Sequence, residues 1–241
     1  AALIAWSASQ ALTANIPGSL PCPDRNNDGY AESSCSASST TARLGRLPYK
    51  TLNIGELRDA SGELLWYGVS QNFRNYTGTV NSDTQGTLSV TGLTPATNAV
   101  AVVLAPGIRL GTQDRSPGGA SCNNSSPACN NAITYLEGIN GDNVSANDYV
   151  TAAENLTDAV AANLFNDQLL VITQQELLVA VEPVVAARIE RDIVRQYIYD
   201  PSDTSTSTQW TDGGGSNRRR YFNAWGAFLF VTVGAVAYAV G

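Results

Sequence analysis

The most informative stretch of the chain begins with L-P-C-P-D-R-N-N-D-G-Y-A-E-S-S-C at Leu20–Cys35, and it continues with G-R-L-P-Y-K-T-L at Gly45–Leu52 and L-R-D-A-S-G-E-L-L-W-Y-G-V-S at Leu57–Ser70. The first block holds two cysteines and a run of oxygen-bearing side chains. The third block ends in Leu64–Ser70, whose aromatic and aliphatic residues predict a buried strand. The stretch therefore predicts long loops, braced by a disulfide, that lead into a sheet.

The first block has the D-x-N-x-D-G spacing of calcium-binding loops, in which oxygens stand at alternate positions and a glycine turns the backbone after the third ligand. The candidate ligands are Asp24, Asn26, Asp28, the backbone carbonyl of Tyr30 and Glu32. The block departs from an EF-hand because Cys35 occupies the position of the final bidentate glutamate, and because no helices are predicted to flank the loop. The alternative is an Asx turn followed by a glycine turn that holds no ion.

Four cysteines, Cys22, Cys35, Cys122 and Cys129, allow three disulfide pairings. The spacings favour Cys22–Cys35 and Cys122–Cys129, each of which would close a local loop rich in Ser, Asn and Pro. The alternatives are free thiols or a zinc site, but zinc sites usually contain tight C-x-x-C pairs, and the chain has none. Two disulfides predict an oxidising compartment.

The composition argues against most enzyme classes. The chain of 241 residues contains no histidine, so Ser-His-Asp and Cys-His catalysis are excluded. The net charge is −7 and Arg218–Arg220 is the one basic cluster, which argues against a nucleic-acid partner. Paired carboxylates could make a glycosidase, and the candidates are Glu56, Asp59, Glu63, Asp114 and Glu137. No spacing places two of them across a sugar, so we predict that each is a surface charge or a loop anchor and that the protein is not an enzyme.

Apolar periodicity predicts an α+β fold. Helical spacing recurs over Ala1–Asn15 and stops at Pro17-Gly18. T-Q-Q-E at Thr173–Glu176 is a capping box that opens a later amphipathic helix, with Pro183 as the site of a kink. The other predicted elements are strands at Leu64–Ser70, Ala99–Ala105 and Leu169–Ile172, a hairpin over Tyr76–Leu93 around an Asn-Ser-Asp turn, a long polar loop over Leu110–Asn131 and a short helix within Ala146–Leu164.

Residues 1–198 are predicted to form one domain, and 199–217 a flexible low-complexity loop. Among the aromatic residues, Trp66 and Tyr67 are predicted to lie in the core, whereas Trp210 in this loop is the best exposed candidate for a sugar-binding surface.

The apolar segment 218–241 has two interpretations. It fits a membrane span that follows three arginines, or strands at Phe228–Val233 and Ala235–Val240 separated by Gly234. Its content of Val, Phe, Tyr and Gly favours the strands.

Several ordered blocks resemble one family. They are A-L-I-A-W at Ala2–Trp6, L-P-C-P-D and N-D-G within Leu20–Gly29, the blocks at Gly45–Leu52 and Leu57–Ser70, V-L-A-P-G through Q-D-R-S at Val103–Ser116, Y-L-E-G-I-N at Tyr135–Asn140 and the helix Glu176–Arg195. In this combination, over residues 1–198, the chain resembles the large prepilin-type proteins related to minor type IV pilins and type II secretion pseudopilins.

The resemblance implies a non-enzymatic subunit of a type IV pilus-like or secretion pseudopilus filament, minor or tip-located, that acts in assembly, adhesion, DNA uptake or secretion. It implies that the N-terminal helix is the end of a longer pilin-type helix packed on an antiparallel sheet. The hydrophobic half of that helix, which anchors such subunits in the bacterial inner membrane before assembly, is absent from this chain. The implied partners are other pilin or pseudopilin subunits and a surface glycan or protein, and the implied location is an extracellular filament or the periplasmic face.

Three other classes remain open. A free-standing extracellular binding or adhesion module would use the polar loops Arg109–Asn131 and Asp200–Asn217. A secreted hydrolase would use its carboxylates, and a membrane protein would be anchored by residues 221–241.

Overall fold

A computed structural model describes residues 1–13, 16–35, 43–74, 80–111, 113, 115, 132–137, 147–160, 163–191, 230–233 and 236–239. The chain divides into two compact units, Ala1–Glu182 and Pro183–Gly241. Several sequence predictions lie outside the described residues: the Cys122–Cys129 pair, Asp114, Trp210 and the flexible loop 199–217.

The described elements confirm the α+β class. In chain order they are α1 Ala2–Thr13, β1 Leu44–Arg46, β2 Trp66–Val69, β3 Leu88–Gly92, β4 Ala96–Ala99, β5 Ala101–Ala105, β6 Asp148–Thr151, β7 Gln168–Ile172, α2 Gln174–Ile189, β8 Phe230–Val233 and β9 Val236–Ala239. A 3-10 turn spans Ala132–Thr134.

Four strands form sheet I in the order β1-β2-β5-β7, and every neighbouring pair is antiparallel. The central strand β5 is an uninterrupted A-V-V-L-A run, in which Val103 pairs with Tyr67 on one side and with Leu170 on the other. Such a short apolar run, ended by Pro106-Gly107, is typical of a strand with neighbours on both sides. The three strands predicted from apolar runs are thus confirmed as β2, β5 and β7.

Sheet II has the strand order β4-β3-β6 and is mixed, because β3 is antiparallel to β4 but parallel to β6. Two predictions are wrong here. The antiparallel partner of β3 follows it across Leu93–Pro95, whereas the sequence analysis placed the hairpin turn before it. The predicted helix within Ala146–Leu164 begins as a strand instead, since Asp148–Thr151 pairs with β3 and the Thr151 hydroxyl donates a 3.0 Å hydrogen bond to the Thr91 carbonyl.

The two sheets contact each other through a common core. A side chain on Gly68 of β2 would place its Cβ 2.1 Å from the hydroxyl oxygen of Tyr149 on β6, so these strands approach closely. Trp66 and Tyr67 are fully buried, as predicted. The core cluster contains Leu44, Trp66, Leu88, Val90, Ala99, Val102, Leu104, Tyr135, Leu136 and Tyr149.

Helix α1 buries one face, on which Leu3, Ser7 and Gln10 lie at helical spacing. The helix ends before the turn at Pro17-Gly18, where Gly18 has a φ of 85° that favours glycine. The predicted stop of the helix at this dipeptide therefore agrees with the structure.

Helix α2 begins with the predicted capping box. The Thr173 amide donates to a Glu176 carboxylate oxygen at 2.8 Å, and the Glu176 amide donates to the Thr173 hydroxyl at 3.3 Å. The helix continues past Pro183 to Ile189. It buries Leu177 and Val181, yet Val179 is 67% exposed, so apolar residues lie on more than one face and the helix is less amphipathic than predicted.

In the second unit, β8 and β9 pair as an antiparallel hairpin, in the register Phe230↔Ala239 and Val233↔Val236. Both strands fall inside the ranges given by the strand interpretation of the sequence. Within the parts of the chain that the structure describes, no helix is both long and apolar enough to cross a membrane.

Candidate functional site

The candidate calcium loop is closed at both ends by contacts of its own flanks. Cys22 and Cys35 form the predicted disulfide, with their Cα atoms 5.7 Å apart. Just inside it, Asp24 and Arg46 exchange backbone hydrogen bonds of 3.0 and 2.7 Å, which attach the loop to the edge strand β1. A disulfide and two backbone hydrogen bonds therefore hold the two ends of the loop beside the edge strand of sheet I.

The carboxylate of Asp24 organises the turn. The residue is only 1% exposed, and its two oxygens accept hydrogen bonds from the amides of Asn26 at 3.2 Å, Asn27 at 2.7 Å and Gly29 at 2.7 Å. Burial raises the pKa of Asp24, an effect that these amides oppose and that the charge of Asp28 reinforces. Asp24 is thus a buried anion satisfied by backbone donors.

Asn26 and Asp28 repeat this pattern nearer the surface. The Asn26 side-chain oxygen accepts from the Asp28 amide at 3.0 Å, and Asp28 accepts from the Tyr30 amide at 2.8 Å. These are Asx turns. Glycine is required at position 29, because its φ is 87° and a Cβ would lie 2.7 Å from the Tyr49 ring.

A basic side chain that the sequence analysis did not connect with the loop lies directly beside it. The Lys50 ammonium donates to the Asp28 carbonyl and lies 5.0 Å from the centre of the Tyr30 ring. The Lys50 amide also donates to the Gly29 carbonyl at 2.9 Å. The sequence separation hid this contact, which places a positive charge next to the loop.

The loop has two interpretations: a set of Asx turns that holds no ion, and a calcium-binding loop. Its oxygens already accept backbone hydrogen bonds, including Glu32, which accepts from the Arg25 amide at 3.2 Å. Within the described ranges, no group of three or more His, Cys, Asp or Glu side chains is arranged to hold a metal ion. An oxygen that accepts one backbone hydrogen bond keeps a second acceptor site, so these hydrogen bonds do not exclude an ion and calcium binding stays a prediction.

Behind the loop, Arg46 connects it to the core. Its guanidinium carbon lies 4.1 Å from the ring centres of both Trp66 and Tyr135, and it donates to the Leu64 carbonyl at 2.8 Å. Cation–π contacts of a desolvated arginine are worth about 2 kcal/mol or more. Arg46 thus joins β1, β2 and the turn at Tyr135.

The candidate carboxylates that the structure describes are surface charges or loop anchors. Asp59 accepts hydrogen bonds from the amides of Ser61, Glu63 and Gly107. Burial opposes its ionisation, but these donors outweigh it and lower the pKa of Asp59. Glu56 forms an exposed ion pair with Arg58 at 2.6 Å.

Glu63 and Glu137 anchor a second set of loops. The buried guanidinium of Arg115 lies 3.6 Å from Glu63 and donates to the carbonyls of Gly107 at 2.7 Å and Tyr135 at 2.8 Å. Glu137 accepts from the Asn166 amide at 3.0 Å. These bonds tie the end of β5, the turn at Tyr135 and the start of β7 together.

In comparisons with protein-family models, with curated proteins and with solved structures, no match to this chain was found.

Proposed function

We propose that the chain is a non-enzymatic subunit of a type IV pilus-like or secretion pseudopilus filament, in which it is a minor or tip-located component. The observation that carries the proposal is the packing of three family-like sequence blocks against one another. Pro21 of the first block accepts a 3.0 Å hydrogen bond from the Tyr67 hydroxyl of the third. Arg46 of the second block pairs with Asp24 and stacks on Trp66.

The position of helix α1 supports the same proposal. The chain passes from α1 through the Pro17-Gly18 turn directly into this cluster, where Leu20 forms a bridge with Arg74 and donates to the Phe73 carbonyl. A filament subunit whose neighbours pack through their helices needs an N-terminal helix that is attached to the sheet. In this proposal the exposed side of α1, around Ala5, faces other subunits.

The disulfide supports the proposed location. Cys22–Cys35 is stable in an oxidising space, such as the periplasm or the cell exterior. An extracellular filament or the periplasmic face therefore suits the chain. Its partners in this proposal are other pilin or pseudopilin subunits, and the functions open to it are assembly, adhesion, DNA uptake and secretion.

The test is to determine the mature N-terminus and location of the native full-length protein, by mass spectrometry of sheared surface filaments and of membrane fractions. A leader-cleaved, N-methylated hydrophobic N-terminus in the filament fraction is the expected result. A conventional signal-peptidase terminus on a protein released from the cell would refute the proposal. That result would favour the second candidate, a free-standing extracellular binding or adhesion module.

A further inference from the structure

An open groove of about 350 Å³ lies at one end of sheet I, where β5 ends and β7 begins. Four segments of the first unit line it: the turn after Asp59, the residues that follow β5, the segment around Glu154 and the start of β7 at Asn166–Gln168. The loop anchors at Asp59 and Arg115 fix two of these segments. The groove is therefore built on hydrogen-bonded backbone.

The side chain of Asn166, a lining residue, carries an acceptor to which no described residue donates a hydrogen bond. The residue lines the groove and is 6% exposed. Its side-chain nitrogen donates to the Ile108 carbonyl at 2.7 Å, which fixes the orientation of the amide. The side-chain oxygen is buried, and none of the described residues donates a hydrogen bond to it. A buried acceptor of this kind is destabilising unless a donor reaches it.

The charge of the groove is negative. Asp59 and Glu154 are in its lining, and no basic side chain is among the described residues that line it. The guanidinium of Arg115 is directed at the Gly107 carbonyl and at Glu63. A ligand with several N–H donors and a positive charge would complement this lining.

The walls of the groove are partly apolar, so a ligand that fits it needs an apolar part. Ile108 is 51% exposed and Leu156 is 39% exposed, and both lie along the groove with Ala60 and Ala105. Exposed aliphatic groups of this kind pack well against a methylene chain. A guanidinium offers five donors in a planar fork and is more weakly hydrated than an ammonium group, so it suits a site with several separate acceptors.

We propose that this groove binds the side chain of an arginine presented by a partner protein, with the guanidinium at Glu154 and Asn166 and the methylene groups against Ile108 and Leu156. The proposal uses only the geometry of the first unit and does not rest on the filament assignment.

The test is a titration of the isotope-labelled protein, followed by backbone amide chemical shifts in NMR spectra. The probes are N-acetyl-arginine methylamide, its neutral isostere N-acetyl-citrulline methylamide, the corresponding lysine derivative and the peptide N-acetyl-Gly-Arg-Gly-amide. We expect saturable shifts at Gly107, Ile108 and Gln168 with the arginine probe and with the peptide, and none with citrulline. Equal shifts with citrulline, tighter binding of lysine or failure of the peptide to bind would overturn the proposal.

Two variants separate charge from packing. Glu154→Gln should weaken the arginine probe about two- to five-fold, as expected for loss of one exposed ion pair, and should weaken methylguanidinium equally. Leu156→Ala should weaken the arginine probe but not methylguanidinium, which has no methylene chain. Glu182→Gln, an exposed carboxylate outside the groove, is the matched control and should change nothing. An unchanged affinity in Glu154→Gln would also overturn the proposal.

Discussion

At the scale of single residues, Gly68 and Tyr149 form a close contact between the two sheets. The Tyr149 hydroxyl has no hydrogen-bond partner among the described residues, and burial raises its pKa. Its oxygen occupies the space that a Cβ on Gly68 would need. The contact therefore depends on shape, with no compensating hydrogen bond.

We expect Gly68→Ala to lower the free energy of unfolding by about 1–3 kcal/mol, because the core must be overpacked to accept the methyl group. Tyr149→Phe alone should be nearly neutral, since it removes a buried hydroxyl that is not hydrogen-bonded. The double variant should recover part of the loss, and urea denaturation of all four proteins measures this coupling. Strictly additive effects would show that the two side chains do not compete for the same space.

Glu137 gives a prediction for pH. Burial raises its pKa, against the hydrogen bonds from Asn166 and Gln113 and the charge of Arg115. The folded protein therefore holds this proton more tightly than the unfolded chain does. The stabilisation is complete below the unfolded value of about 4.5 and is lost as the pH rises through the higher folded pKa.

We therefore expect the difference in unfolding free energy between the native protein and Glu137→Gln to shift in favour of the native protein as the pH falls towards 4.5. Urea denaturation at a series of pH values measures it. Glu182→Gln serves as the control, because that carboxylate is exposed on α2. A difference that is constant with pH would contradict the raised pKa of Glu137.

At the scale of elements, the loop between Cys22 and Cys35 is held by a disulfide and by the hydrogen bonds that Asp24 accepts. The disulfide joins residues 13 apart in the sequence. Replacing both cysteines by serine should lower the free energy of unfolding by about 3 kcal/mol, since the crosslink restricts the unfolded chain. The comparison is made in a Cys122→Ser/Cys129→Ser background, so that only one disulfide is in question. A loss below about 0.5 kcal/mol would show that the Asp24 hydrogen bonds hold the loop unaided.

Calcium is tested on the same loop. If the loop binds calcium, the melting temperature is higher in calcium chloride than in chelator, and Asp28→Asn abolishes the difference while Asp83→Asn, on an exposed turn, preserves it. Lys50→Gln should strengthen the response, because it removes a positive charge from the Asp28 carbonyl. Equal melting temperatures in calcium and chelator would show that this loop forms Asx turns and binds no calcium.

The sequence predicted the elements that carry their own local signal. The apolar runs of β2, β5 and β7 and the capping box of α2 needed no knowledge of the rest of the chain. Strand β6 has no such local signal. Asn147 and Asp148, at its start, are residues that also cap helices, and the segment is a strand only because it pairs with the parallel strand β3. The turn at Asn81–Asp83 was identified as a hairpin turn for a similar reason, since turn residues do not specify which strands pair.

At the scale of the whole molecule, some contacts of the candidate site could be predicted from local sequence and others could not. The Cys22–Cys35 pairing and the role of Asp59 as a loop anchor followed from spacing and residue type. The contact of Lys50 with the loop, the contact of Arg46 with two aromatic rings and the groove at Asn166 did not. Each of these joins segments that are distant in sequence, so only the assembled sheets bring them together.

The order of strands in sheet I has a consequence for how the chain acquires its structure during synthesis. The central strand β5 gains its second neighbour only from Gln168–Ile172, long after β5 itself has been made. Until then its apolar A-V-V-L-A run has an open edge that can associate with other nascent chains. We therefore expect slow folding dominated by non-local contacts, and a nascent chain that ends before β7 should depend on chaperones to remain free of aggregation.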